Sequence, residues 1–102
     1  MTQLTIITGA SRGLGAALAV QLLHPQAHVI CISRSSNKRL PALATQSGAT
    51  LEQWSLDLAD GASAAQRLGQ WLAEQPSDRF SQATLINNAG VISALVPLRA
   101  AD

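Results

Sequence analysis

Apolar residues fall in four short runs along the chain, separated by stretches whose apolar positions recur every three or four residues. Residues 3–8, centred on Leu4, Thr5, Ile6 and Ile7, read as a strand apolar enough to be covered on both faces. Residues 12–23 predict a helix. Leu14, Leu18 and Leu22 share one face, and Ala16, Ala17 and Ala19 leave room for close packing on a sheet. His24-Pro25 ends it, because the residue before a proline is pushed out of the helical region. Residues 27–33 predict a second strand and residues 37–46 a second helix, with Gly48 as the stop signal. Residues 50–56 predict a third strand, 60–74 a third helix and 83–87 a fourth strand. Residues 91–97 read as a loop and 98–102 as the first turn of a further helix. Strands alternating with helices imply a parallel sheet with right-handed crossovers. Without an internal repeat, low-complexity tract or linker, the chain reads as one α/β unit, and as an incomplete one.

Composition adds little until charge is placed along the chain. At 102 residues, 47% apolar and a formal net charge of +1, the chain suits one small domain with one core. A near-neutral total argues against general nucleic-acid binding, which needs a basic face. No apolar stretch reaches bilayer length, and the N-terminus lacks a signal-peptide layout, so no membrane role is expected. Cys31 stands alone, so a reducing compartment, the cytoplasm, is the default. The charges themselves are uneven. Residues 1–51 hold Arg12, Arg34, Lys38 and Arg39 and no carboxylate, whereas all six acids come later. The first half is suited to an anion.

The first strand runs into Thr8-Gly9-Ala10-Ser11-Arg12-Gly13-Leu14-Gly15. A strand feeding a glycine-rich turn that opens a helix can hold phosphate, because glycines allow close approach and the helix start presents free N–H groups. Gly9 suits the turn, Gly13 the close approach to the ligand, and Gly15 the packing of helix on strand. A purely structural turn would also account for the pattern. The phosphate loop of nucleotide hydrolases is excluded, since Ala16-Ala17 replace its Lys-Ser or Lys-Thr.

These residues, together with Asp57-Leu58 after the third strand and Asn87-Asn88-Ala89-Gly90 after the fourth, resemble the short-chain dehydrogenase/reductase family. The resemblance covers the whole chain and implies a Rossmann-type doubly wound sheet. It looks closest to the sepiapterin reductase and benzil reductase branch, on Ile32-Ser33-Arg34 and on Val96-Pro97-Leu98.

An NAD-preferring site places an acid at the end of the second strand to accept from the ribose 2′-hydroxyl. Ser33-Arg34 stand there instead. A carboxylate repels a 2′-phosphate, whereas arginine grips it with two charge-assisted hydrogen bonds, and Arg12 is a natural second cation. NADP(H) is the cofactor this favours, with Ser11, Arg12, Ser33 and Arg34 around its phosphates. A solvated helix start would explain Arg34, Lys38 and Arg39, though not the missing acid. By resemblance, Asp57 would hydrogen-bond the adenine edge and Leu58 would pack on the ring. Asn88, Ala89 and Gly90 would line the ribose, and Asn87 would tie the fourth strand to its neighbours. Turn chemistry alone would also suit Asp57 and Asn88.

Other positions carry less. His24 and His28 flank a helix-to-strand turn with no ligand partner at metal spacing, so no metal site is expected. Cys31, Trp54 and Trp71 read as packing residues, and Ser11 has no histidine to make it a nucleophile.

The resemblance also implies what the chemistry needs: a tyrosine to protonate the carbonyl oxygen, a lysine four residues later, and a serine to orient the carbonyl. The 102 residues hold no tyrosine, and Lys38 is the one lysine. No catalytic residue is therefore assigned. Residues 1–102 read as the cofactor-binding portion of an NADP(H)-dependent carbonyl reductase for small ketones, diketones or pterin-like substrates, truncated before its catalytic segment and inactive alone. The full-length form is expected to be a homo-oligomer, and the open fragment to associate. The alternative is a non-catalytic nucleotide-binding or assembly module.

Overall fold

A computed structural model describes residues 2–10, 13–57, 59 and 61–88. The elements run β1 (Thr2–Thr8), α1 (Gly13–Leu22), β2 (Ala27–Ser33), α2 (Leu40–Ser47), β3 (Thr50–Ser55), α3 (Gly61–Ala73) and β4 (Phe80–Asn87). All strands pair in parallel, in the order β3-β2-β1-β4. The predicted loop at 91–97 and helical turn at 98–102 lie outside the described residues.

The sheet is covered on both faces near its centre. Ile7, Val29 and Cys31 point to one face, where Ala19 and Leu23 from the α1 side and Leu40 and Ala44 of α2 close over them. Leu4, Ile6, Ile30, Ile32 and Trp54 point to the other, against Leu68 and Trp71 of α3 and Phe80. Every residue of β2 is buried, because the strand has a neighbour on each side and helices on each face. Cys31, Trp54 and Trp71 thus take the packing roles expected of them.

Helix α1 sits on the sheet through its small residues. Gly15 and Ala19 are buried, Leu18 and Leu22 pack at the margin of the core, and Leu14 is 67% exposed. The expected leucine face is therefore split, and Leu14 is free at the top of the helix.

Two boundaries differ from expectation for identifiable reasons. Helix α2 begins at Leu40, not at residue 37. A start at Asn37 would need the N–H of residue 41 to donate to the Asn37 carbonyl, and Pro41 has none. That carbonyl accepts from Gln53 Nε2 instead, at 2.9 Å. Pro41 falls in the first turn, where a missing donor costs nothing. The helix closes at Gly48 in the left-handed conformation, as the stop signal predicts. Strand β4 begins at Phe80, not at residue 83, with a register shift opposite Thr2 and Gln3. After Phe80 come Ser81 and Gln82, polar and exposed, so no apolar alternation announces the start of the strand.

Candidate functional site

The strand order reverses between β1 and β4: the chain builds outward to β3, then returns to add β4 on the opposite side of β1. In open α/β sheets the crevice beyond the carboxyl ends of the strands at such a reversal is where ligands bind. The segments after β1 and β4 meet there.

Hydrogen bonds to the ends of β2 and β4 hold the turn after β1. Gly9, with φ of +72°, donates its N–H to the Ile32 carbonyl at 2.9 Å. Its own carbonyl accepts from Asn88 Nδ2 at 3.1 Å. Ala10, fully buried, donates its N–H to Ser33 Oγ at 2.9 Å. One residue earlier, the Thr8 hydroxyl donates to Asn87 Oδ1 at 3.0 Å, which ties β1 to the end of β4.

The next two glycines serve different needs. Gly13 opens α1 with φ of +62°, and a Cβ there would meet nothing within 4 Å, so its surroundings are open. A Cβ on Gly15 would lie 2.2 Å from the Gly9 carbonyl oxygen and 2.7 Å from Asn88 Nδ2. Only a residue without a side chain lets the first turn of α1 rest on the glycine turn. That first turn carries no acidic residue to oppose an anion.

The remaining predicted residues spread around this turn. Arg34 is exposed at the end of β2 and makes no hydrogen bond or ion pair among the described residues. Ser33 is buried, and its hydroxyl braces Ala10. Asp57 is exposed beyond β3, with Oδ1 accepting from the Ala59 N–H at 2.9 Å. Ser11, Arg12, Leu58, Ala89 and Gly90 lie outside the described residues. The structure thus brings Gly9, Gly15, Ser33 and Asn88 together around the turn and leaves Gly13, Leu14, Arg34 and Asp57 exposed.

Two residues escaped the sequence reading. The Gln53 side chain, on β3, both accepts from the Asn37 N–H (2.7 Å) and donates to the Asn37 carbonyl (2.9 Å). Asn37 Oδ1 in turn accepts from the N–H groups of Arg39 (2.8 Å) and Leu40 (3.3 Å). An asparagine three residues ahead of Leu40-Pro41 was the available signal, since side-chain capping and a first-turn proline go together.

At the far end of the strands, His28 is buried and shares Glu52 with Trp54. Nε2 lies 2.7 Å from Glu52 Oε2, and Trp54 Nε1 donates to Oε1 at 3.1 Å. Trp71 and Phe80 flank the imidazole edge-on at 5.4 and 5.5 Å. This cluster braces α3 to the sheet, well away from the glycine turn. Among the described residues no group of three or more side chains could hold a metal ion, and no helix is long and apolar enough to cross a membrane.

A doubly wound parallel sheet with a glycine turn at its reversal defines a Rossmann-type α/β fold. The sequence model of the short chain dehydrogenases matches residues 3–102. Benzil reductase ((S)-benzoin forming) of Bacillus cereus is 40% identical over 97 residues, covering 95% of this chain and 39% of that protein. The enzyme of the same name from Bacillus subtilis (strain 168) is 39% identical over 93 residues, covering 91% and 35%. The chain therefore spans well under half the length of these curated relatives. A short-chain dehydrogenase/reductase from Burkholderia vietnamiensis superposes with a TM-score of 0.65 at 40% identity, over the whole of this chain and 47% of that one. The Cj0485 dehydrogenase superposes with a TM-score of 0.70 over 87% of this chain and 33% of that one, a likeness of fold alone at 21% identity.

The chain belongs to the short-chain dehydrogenase family. The family is one of oxidoreductases that bind a nicotinamide dinucleotide.

Proposed function

We propose that residues 1–102 form the NADP(H)-binding part of a carbonyl reductase. One observation carries the cofactor preference: exposed Arg34, without a partner among the described residues, stands where an NAD site would carry an acid. The residues present suit such a cofactor. Gly13 has open space where a side chain would stand, the first turn of α1 holds no carboxylate, and Gly9 and Gly15 keep the turn close to the helix.

When bound, the dinucleotide supplies or accepts hydride. The chain's own share is binding and aim. The amides at the start of α1, with Ser11, Arg12 and Leu14, would hold the pyrophosphate. Arg34 and Arg12 would take the 2′-phosphate, Asp57 and Leu58 the adenine, and Asn88, Ala89 and Gly90 the ribose. Ser33 contributes through Ala10, by fixing the turn.

The substrate class is that of the relatives named above, so a small ketone or diketone such as benzil is the first to test, with pterin-like carbonyls next. With no tyrosine among the 102 residues, they do not supply the family's proton donor, and the 102-residue polypeptide alone is expected to reduce no carbonyl. That same lack favours the second reading, a nucleotide-binding module without catalysis. NADPH oxidation with benzil by the full-length protein would decide between the two. The lone buried Cys31 fits a cytoplasmic protein.

The cofactor preference is tested by titrating NADPH and NADH into the protein and monitoring nicotinamide fluorescence. NADPH should bind at least tenfold more tightly, roughly the worth of one charge-assisted contact, and Arg34→Asp should erase or invert the preference. Equal binding of both cofactors by the unaltered protein would sink the proposal.

A further inference from the structure

We infer that Gln53 is a positioning residue for cofactor selectivity: it holds the loop that carries Arg34. The inference rests on the NADP(H) reading above. The loop after β2 is pinned at both ends. On one side Ser33 is buried, its hydroxyl accepts from Ala10, and its carbonyl accepts from the Leu56 N–H at 2.9 Å. On the other side Asn37 is gripped at both its N–H and its carbonyl by one side-chain amide, that of Gln53. Those two bonds imitate a rung of sheet pairing, made by a side chain where β2 has already ended.

Between the pins lie Arg34, Ser35 and Ser36, all exposed. A segment this short, fixed at both ends, has few conformations left. The flexible Arg34 side chain is thereby presented from a backbone that needs no ordering when the ligand arrives, which spares affinity that a loose loop would lose. Asn37 also sets where α2 starts, because its Oδ1 takes the Arg39 and Leu40 N–H groups. The pinned loop reaches the glycine turn: Asn37 and Arg39 line a groove of about 480 Å³ together with Gly13 and Ala16. Gln53 itself stays on β3 and reaches the loop only through Asn37.

The test compares Gln53→Met, which keeps the side chain's length and loses both hydrogen bonds, with the unaltered protein. NADPH and NADH are titrated by nicotinamide fluorescence, and thermal melts accompany each variant. NADPH affinity should fall about three- to tenfold while NADH affinity holds, and in an Arg34→Ala background Gln53→Met should change NADPH affinity no further. Gln53→Asn, too short to grip both groups of Asn37, should behave in the same way and serves if Gln53→Met does not fold. Equal losses for the two cofactors, or a full additional loss in the Arg34→Ala background, would overturn the inference. Arg34→Ala leaving the preference intact would instead remove the NADP(H) reading beneath it.

Discussion

The side-chain amide of Asn88 donates to the carbonyl oxygen of Gly9 across 3.1 Å, joining the segment after β4 to the turn after β1. The same carbonyl is the atom that a side chain on residue 15 would strike first. Asn88 and Gly15 therefore meet at the same carbonyl, one by bonding and one by making room. Asn88→Ala should cost about 1 kcal/mol of stability, the usual worth of one such bond. It should weaken NADPH and NADH binding alike. Gly15→Ala should do far more, because the obstacle at 2.2 Å is backbone. Thermal melts and cofactor titration on the two variants check both, and a Gly15→Ala protein with unchanged binding would contradict the close packing.

Ser33 offers a way to separate bracing from ligand contact. Its hydroxyl is spent on the buried Ala10 N–H, so Ser33→Ala strands that donor, at about 1–3 kcal/mol. The expected result is a lower melting temperature with the ratio of NADPH to NADH affinity unchanged. A selective loss of NADPH would mean that the hydroxyl also reaches the phosphate, as the sequence pattern suggests.

Glu52 holds two donors, His28 and Trp54, at the end of the sheet away from the glycine turn. Glu52→Ala leaves the buried imidazole without its acceptor, and a loss of about 1–3 kcal/mol is expected in urea unfolding. Glu52→Gln, which keeps one acceptor oxygen, should lose less. Cofactor affinity should respond to neither change, which a parallel titration verifies.

Burial pushes the Cys31 thiol up to about 11 from an ordinary value of 9.0. The folded state therefore favours the neutral thiol. In alkaline solution the unfolded chain ionises first, so this contribution is complete below pH 9.0 and is lost as pH rises toward about 11. Native protein should resist alkylation by iodoacetamide at neutral pH and react once unfolded. In Cys31→Ala, the part of the stability decline between those pH values that belongs to the thiol should disappear.

The sheet and the glycine turn were legible in the sequence because their signals are local. The run Ala27–Ser33 is buried at every position, and Gly9, Gly13 and Gly15 come directly after a strand. The features that escaped depend on register between strands. His28 aligns with Thr50, which sets Glu52 diagonally beside it, and no spacing along the chain shows that. The Gln53–Asn37 grip likewise joins residues far apart in the chain, so local spacing does not reveal it. Ser33 was legible as part of the site, but not that its hydroxyl faces Ala10. The start of β4 was hidden because Ser81 and Gln82 are exposed and polar, leaving no alternation to read.

Strand β4 pairs with β1 only after the chain has built β2 and β3, so the Thr8–Asn87 and Gly9–Asn88 bonds each span 79 residues. The β1–β2 and β2–β3 pairings, by contrast, each close over a single helix. Long closures cost more chain entropy and slow folding, so the crevice is assembled by the slowest of these closures. Capture of a dinucleotide during refolding should therefore lag behind helix formation and report the arrival of β4.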